Sequence, residues 1–142
     1  MADETENSSS GSRDLMVPAA RRVLENLAEM EPELVGAGIF RKSGPGRELL
    51  YTASGSPGWT GAAEEVLDAL EAGAGEESFD SAHVAGATGE VFVVTECGFT
   101  VIAVTGRFVL ASLTAYDLRM ALRDLNAVQA SSQAEYGEPE SA

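Results

Sequence analysis

A chain of 142 residues is long enough for one domain with a real core and too short for two ordinary ones. Its formal net charge is −14, and between positions 14 and 126 alone 17 acids face 8 bases, giving −9. That balance argues against nucleic acid or an anionic membrane as the partner. No apolar run approaches the roughly 20 residues of a membrane span. The polar, acidic N-terminus reads as neither a secretory signal nor a transit peptide. One cysteine cannot form an internal disulfide, so a reducing cytoplasm is the expected location. One lysine against eight arginines suggests the codon bias of a GC-rich genome, or a salt-adapted proteome.

Residues 1–13 are rich in Ser, Glu and Asn and are expected to form a disordered arm. Asp14 is a candidate helix cap, and Pro18 then sits early enough to need no N–H. Val17, Ala20, Leu24, Leu27 and Met30 follow with helical spacing, and Pro32 ends the helix. The segment 34–40 (LVGAGIF) predicts a strand. Gly36 and Gly38 alternate on one of its faces, which suggests close approach by another backbone, such as that of a helix. A turn at 43–46 leads to a second strand at 48–54 and a polar loop at 55–60 that holds the single tryptophan, Trp59.

Thr60 is a candidate cap for the next helix, with Glu64 available to its first turn. Ala62, Ala63, Val66, Leu67, Ala69 and Leu70 span about 160° of its wheel at ~100° per residue. A one-sided surface helix does not need so wide an arc, but a helix between a sheet and a second protein does. Glu64, Glu65, Asp68 and Glu71 fill the rest and read as a solvated face. Segment 81–88 (SAHVAGAT) predicts a third strand, turning near Thr88-Gly89 into a fourth rich in β-branched residues, Val91 to Val94. Cys97-Gly98 is the next turn. The fifth strand, 99–104 (FTVIAV), barely alternates, so both its faces should be covered. After Gly106-Arg107 the period changes, and Ala111, Ala115, Leu118, Leu122 and Leu125 mark a last helix. The tail, 129–142, is again polar and is expected to be disordered. Helix, strand, strand, helix, three strands and a helix make an α+β layer arrangement.

Reactive motifs are missing. Segment 36–43 (GAGIFRKS) nearly spells a phosphate loop, but Arg41 stands where that pattern needs glycine, and a strand rather than a helix holds it. It also lacks the third glycine of a dinucleotide fingerprint. No G-x-S-x-G elbow occurs around Ser56. His83 and Cys97 are the only residues of their kinds, so no ordinary zinc site is available. With the turn at Thr88-Gly89, His83 would face Val94 and Cys97 would lie on the opposite face, which disfavours a nucleophile–base pair. Cys97 then reads as a half-buried turn residue and His83 as an edge or interface residue. Arg107, at a strand-to-helix break, is the sharpest polar candidate for reaching a partner.

The element order resembles that of the roadblock/LC7 family over about residues 15–128. The most specific part is the tail of the domain, where an all-apolar strand meets a short polar break and a helix of the form ALxSLxxYDLRxALRDL, here 110–125. The GAGIF strand and the Ala-rich second helix agree. The resemblance implies a five-stranded sheet in the order 2-1-5-4-3, with the outer helices on one face and the second helix on the other, in one domain spanning 14–128. It implies a homodimer through the second helix and third strand, with Ala62, Val66, Ala69, Leu70, His83 and Ala85 at the interface. It further implies a non-enzymatic, cofactor-free regulator or scaffold of a small Ras-like GTPase. A profilin-like or PAS-like small-molecule sensor is the alternative; it needs an internal pocket with convergent polar groups, whereas the core positions here are almost all aliphatic.

Overall fold

The computed structural model describes residues 2–53, 57–77, 79–107 and 109–137. Residue 1 and residues 138–142 of the expected arms, 54–56 of the polar loop, Ser78 and Phe108 lie outside the described residues. The elements are α1 (Ala2–Met30), β1 (Leu34–Ser43), β2 (Gly46–Thr52), α2 (Trp59–Ala74), β3 (Ser81–Ala85), β4 (Glu90–Glu96), β5 (Phe99–Thr105) and α3 (Ala111–Gly137). The strands form one antiparallel sheet in the order β2-β1-β5-β4-β3, as expected.

Alternation sorts the strand residues into two cores. On one face Ala37, Ile39, Leu50, Phe92, Val94, Phe99, Val101 and Ala103 meet Met16, Ala20, Leu24 and Leu27 of α1 and Leu118, Leu122 and Leu125 of α3. On the other, Phe40, Val93 and Ile102 meet Ala63 and Leu67 of α2. The apolar run of β5 is therefore explained, since a helix layer covers each face. Side chains such as Phe40 in one core and Phe92 in the other, with almost no exposed surface, are each worth about 1.5–3 kcal/mol of burial.

Several local expectations are corrected. α1 continues N-terminally to Ala2, so Asp14 is not a cap and Pro18 lies inside the helix. The missing N–H at Pro18 leaves the carbonyl four residues earlier without its helical donor. Met16 rather than Val17 is fully buried, and Met30 is exposed. α3 continues past position 128 to Gly137. α2 starts at Trp59 behind Gly58, with no side-chain cap, so Thr60 is inside the helix. Gly38 admits a side chain rather than a helix backbone, because a Cβ there would stand 2.8 Å from Cζ3 of Trp59.

The β3–β4 hairpin also differs. Gly86 N–H donates to the Gly89 carbonyl at 2.8 Å, closing a turn over Gly86–Gly89. His83 therefore pairs with Phe92, two residues before the expected Val94. In the β4–β5 turn Cys97 has φ 59° and Gly98 φ 82°. Two consecutive positive φ values suit a two-residue hairpin of right-handed strand twist. Cys97 is exposed there, not half-buried.

Candidate functional site

The wide apolar arc of α2 divides in two. Ala63 and Leu67 are buried against the sheet, and Leu70 is partly buried in the same cluster. Ala62, Val66 and Ala69 are exposed on the outer side, Val66 at 39 %.

Strand β3 splits the remaining expected interface residues from these. His83 pairs with Phe92 and Ala85 with Glu90, so both side chains lie on the sheet face that carries α1 and α3. The β3 residues on the α2 face are Ala82, packed in the second core, and Val84, which is 62 % exposed. Ala62, Val66, Ala69 and Val84 therefore stand on the α2 side of the sheet, and His83 and Ala85 on the other. Sequence reasoning missed Val84. Strict alternation from the correct turn would have found it, but the turn depends on the Gly86–Gly89 bond.

His83 has local partners. Its Nε2 lies 2.6 Å from Oε1 of the buried Glu90, and its ring stacks on Phe92 with centroids 4.3 Å apart. Cys97 sits at the far end of β4, so His83 is committed to Glu90 and is not paired with the thiol.

The acidic side of α2 is only partly a solvated face. Arg47 of β2 reaches it, with Nη2 2.8 Å from Asp68 and 3.2 Å from Glu71, and Nη1 3.8 Å from Glu64. The Arg47 side chain is 13 % exposed. Burial works against its charge, but the hydrogen bonds and charges of Asp68 and Glu71 outweigh that and hold the guanidinium above its ordinary pKa. Glu65 stays exposed. A separation of 17 to 24 positions gave no sequence signal for this clamp.

Beyond the last strand, Gly106 N–H donates to the Glu33 carbonyl at 2.9 Å, and Arg107 is exposed in the break before α3. Leu110, Leu113 and Tyr116 stand exposed after it, with Val35 exposed at the start of β1. Arg119 and Arg123 of α3 both bind Glu96, which holds the Glu96 carboxyl below its ordinary value, Arg123 contributing most.

A cavity of about 440 Å³ opens between the β1–β2 tip, the end of α2 and the β4–β5 turn, with Phe40, Phe79 and Pro45 among its apolar walls. Of its cations, Arg41 is bound to Glu48 and Arg47 to the α2 acids. The near phosphate loop lies within β1, and the element that follows it in the chain is β2, so it lacks the strand-loop-helix arrangement of a phosphate loop. Among the described residues, no three His, Cys, Asp or Glu side chains gather as a metal site, and no helix is long and apolar enough to cross a membrane.

No family model and no curated protein matches the sequence. Solved structures that share its architecture include the following two. The Roadblock/LC7 domain from Streptomyces avermitilis superposes with a TM-score of 0.59 at 16 % identity, over 72 % of this chain and 91 % of that one. Myxococcus xanthus MglB superposes with a TM-score of 0.64 at 14 % identity, over 81 % of this chain and 90 % of that one. At such identities the likeness is one of fold, and together with the strand order and the placement of the three helices it shows that this chain has the roadblock/LC7-like fold.

Proposed function

We propose that this domain is a cytoplasmic, non-enzymatic regulator or scaffold that forms a homodimer and acts on a small Ras-like GTPase in trans. The observation that carries the reading is the fold together with an unpartnered apolar side: Ala62, Val66 and Ala69 on the outer side of α2, and Val84 on the edge strand β3. Burying that side against a second copy removes apolar surface from water, worth roughly 25 cal/mol per Å². A two-fold axis makes the contact self-complementary. Arg107, exposed at the break before α3, is the proposed contact to the GTPase, supported by its neighbours Leu110 and Leu113.

The test combines light scattering with co-purification from the native host. Wild-type protein should be dimeric at micromolar concentration, and Val66→Asp, which would bury an unpaired charge, should be a folded monomer. A GTPase should co-purify with wild type and be lost with Val66→Asp. A monomeric wild type, or the absence of any GTPase, would overturn the proposal. In that case the open cavity beside the end of α2 would favour the small-molecule sensor.

A further inference from the structure

Uncommitted polar groups of both signs converge on the cavity at the end of α2. Its volume of about 440 Å³ falls in the size range of sites for small ligands. It opens where α2 stops at Ala74, against the same sheet face that α2 covers. Alternation fixes what lies on its floor. Val93 and Ile102 pack under α2, and Thr95 and Thr100, two positions along their strands, line the cavity. Phe40, Phe79 and Pro45 give it apolar walls.

The sheet side of the cavity offers donors. Thr95 and Thr100 are cross-strand partners, with their Oγ1 atoms 3.0 Å apart. Each hydroxyl carries one proton, and the bond between them uses one, so one O–H remains to donate. Among the described residues no other hydrogen bond takes it. Lys42, exposed at the end of β1, adds an ammonium, and its backbone N–H donates to the Gly98 carbonyl at 2.9 Å. Arg41 is bound to Glu48 and Arg47 to Asp68 and Glu71, whereas no carboxylate holds Lys42 among the described residues. The α2 side is of the opposite sign. Glu76 and Glu77 line it, exposed and outside any ion pair among the described residues. The carbonyl end of α2 is negative as well, and its last turn contains no basic residue.

We propose that this cavity binds a small zwitterion with an apolar ring, of the aromatic amino acid class. Its carboxylate meets Lys42 and the spare threonine O–H, its ammonium meets Glu76, Glu77 and the carbonyl end of α2, and its ring lies against Phe40 and Phe79. Charge selects the zwitterion over either half of it. A bare carboxylate meets the negative field of a chain of formal charge −14 and leaves the glutamates unmatched. A bare ammonium leaves Lys42 and the O–H without an acceptor. A neutral molecule carrying both signs satisfies each side and brings no net charge. This site is separate from the outer side of α2 and from Arg107, so it stands whether or not a GTPase is the partner.

The test titrates the purified full chain, without any partner, with L-phenylalanine and L-tryptophan and follows backbone amide shifts by NMR. The tighter of the two should shift Thr95, Thr100 and Phe79 with a Kd of about 1 mM or below. Phenylacetate and phenethylamine, which keep the ring and one charge each, should bind at least about tenfold more weakly. Lys42→Gln, at an exposed position that leaves the fold intact, should weaken the amino acid by about tenfold. Thr100→Val keeps the shape, removes the O–H and should weaken it as well. The proposal is overturned if neither amino acid shifts these amides up to about 20 mM, well above that Kd. Phenylacetate or phenethylamine binding as tightly as the amino acid, or unchanged affinity in Lys42→Gln, would also overturn it.

Discussion

Replacing Gly38 with alanine tests how α2 is seated on the sheet. The added Cβ would lie 2.8 Å from Cζ3 and 3.1 Å from Cη2 of Trp59. Carbon atoms rest about 3.5–4.0 Å apart, so the indole must withdraw by roughly 0.5–1 Å. Overpacking of this kind costs about 1–3 kcal/mol. Trp59 is only half-buried at the start of α2 and can yield towards solvent, which favours the lower end. Alanine also restricts the unfolded chain and returns about 0.4–1 kcal/mol. The net expectation is a loss of about 1 kcal/mol, or roughly 3 °C in melting temperature for a chain of this size. Trp59 is the only tryptophan, so its fluorescence reports both the melt and the displaced ring. In a Trp59→Leu background the obstacle is gone, and Gly38→Ala should be neutral or slightly stabilising. An equal cost in both backgrounds would refute the proposed contact.

Arg47→Met should free the acidic side of α2 and cost about 1 kcal/mol, since its three partners are largely exposed and ion pairs of that kind are weak; urea melts at low and high salt check this, and the gap should narrow at high salt. Glu96→Gln should abolish a small stabilisation that wild type holds at neutral pH and loses as the pH falls below the ordinary glutamate range, because Arg123 and Arg119 lower that carboxyl; acid titrations of the two proteins compare it. Arg107→Ala should weaken GTPase binding by about 1.5–3 kcal/mol in calorimetry if it makes a charge-assisted contact. We propose that 14–128 is the self-sufficient unit, and removal of 129–142 should change stability by no more than about 0.5 kcal/mol in denaturant melts.

Periodicity carried most of the fold. The spacing of Ala20, Leu24 and Leu27, and of Leu118, Leu122 and Leu125, is imposed by the helical turn and is written directly in the chain. The covered strand β5 announced itself by its missing alternation. Registers were less legible, because a one-step change in a turn moves every partner. The Gly86–Gly89 turn shifted His83 from Val94 to Phe92 and left Val84 unnoticed. The polar contacts were least legible. The Arg47 clamp, the Thr114–Glu31 bond and the Glu96 bridge join residues far apart in sequence, and single residues at unremarkable positions carry no period.

The two ends of the sheet are unlike, and this bears on how an assembly could grow. At one end β2 presents Arg47 and Glu48, both engaged in ion pairs, beside a turn containing Pro45. Charge and proline discourage another strand from adding there. At the other end β3 is five residues long, SAHVA, with no aspartate, glutamate, lysine or arginine. A sheet with one guarded border and one open border can be extended from a single side. Two copies that meet through their open borders leave only guarded ones outside, so growth stops at a pair instead of propagating into a fibre.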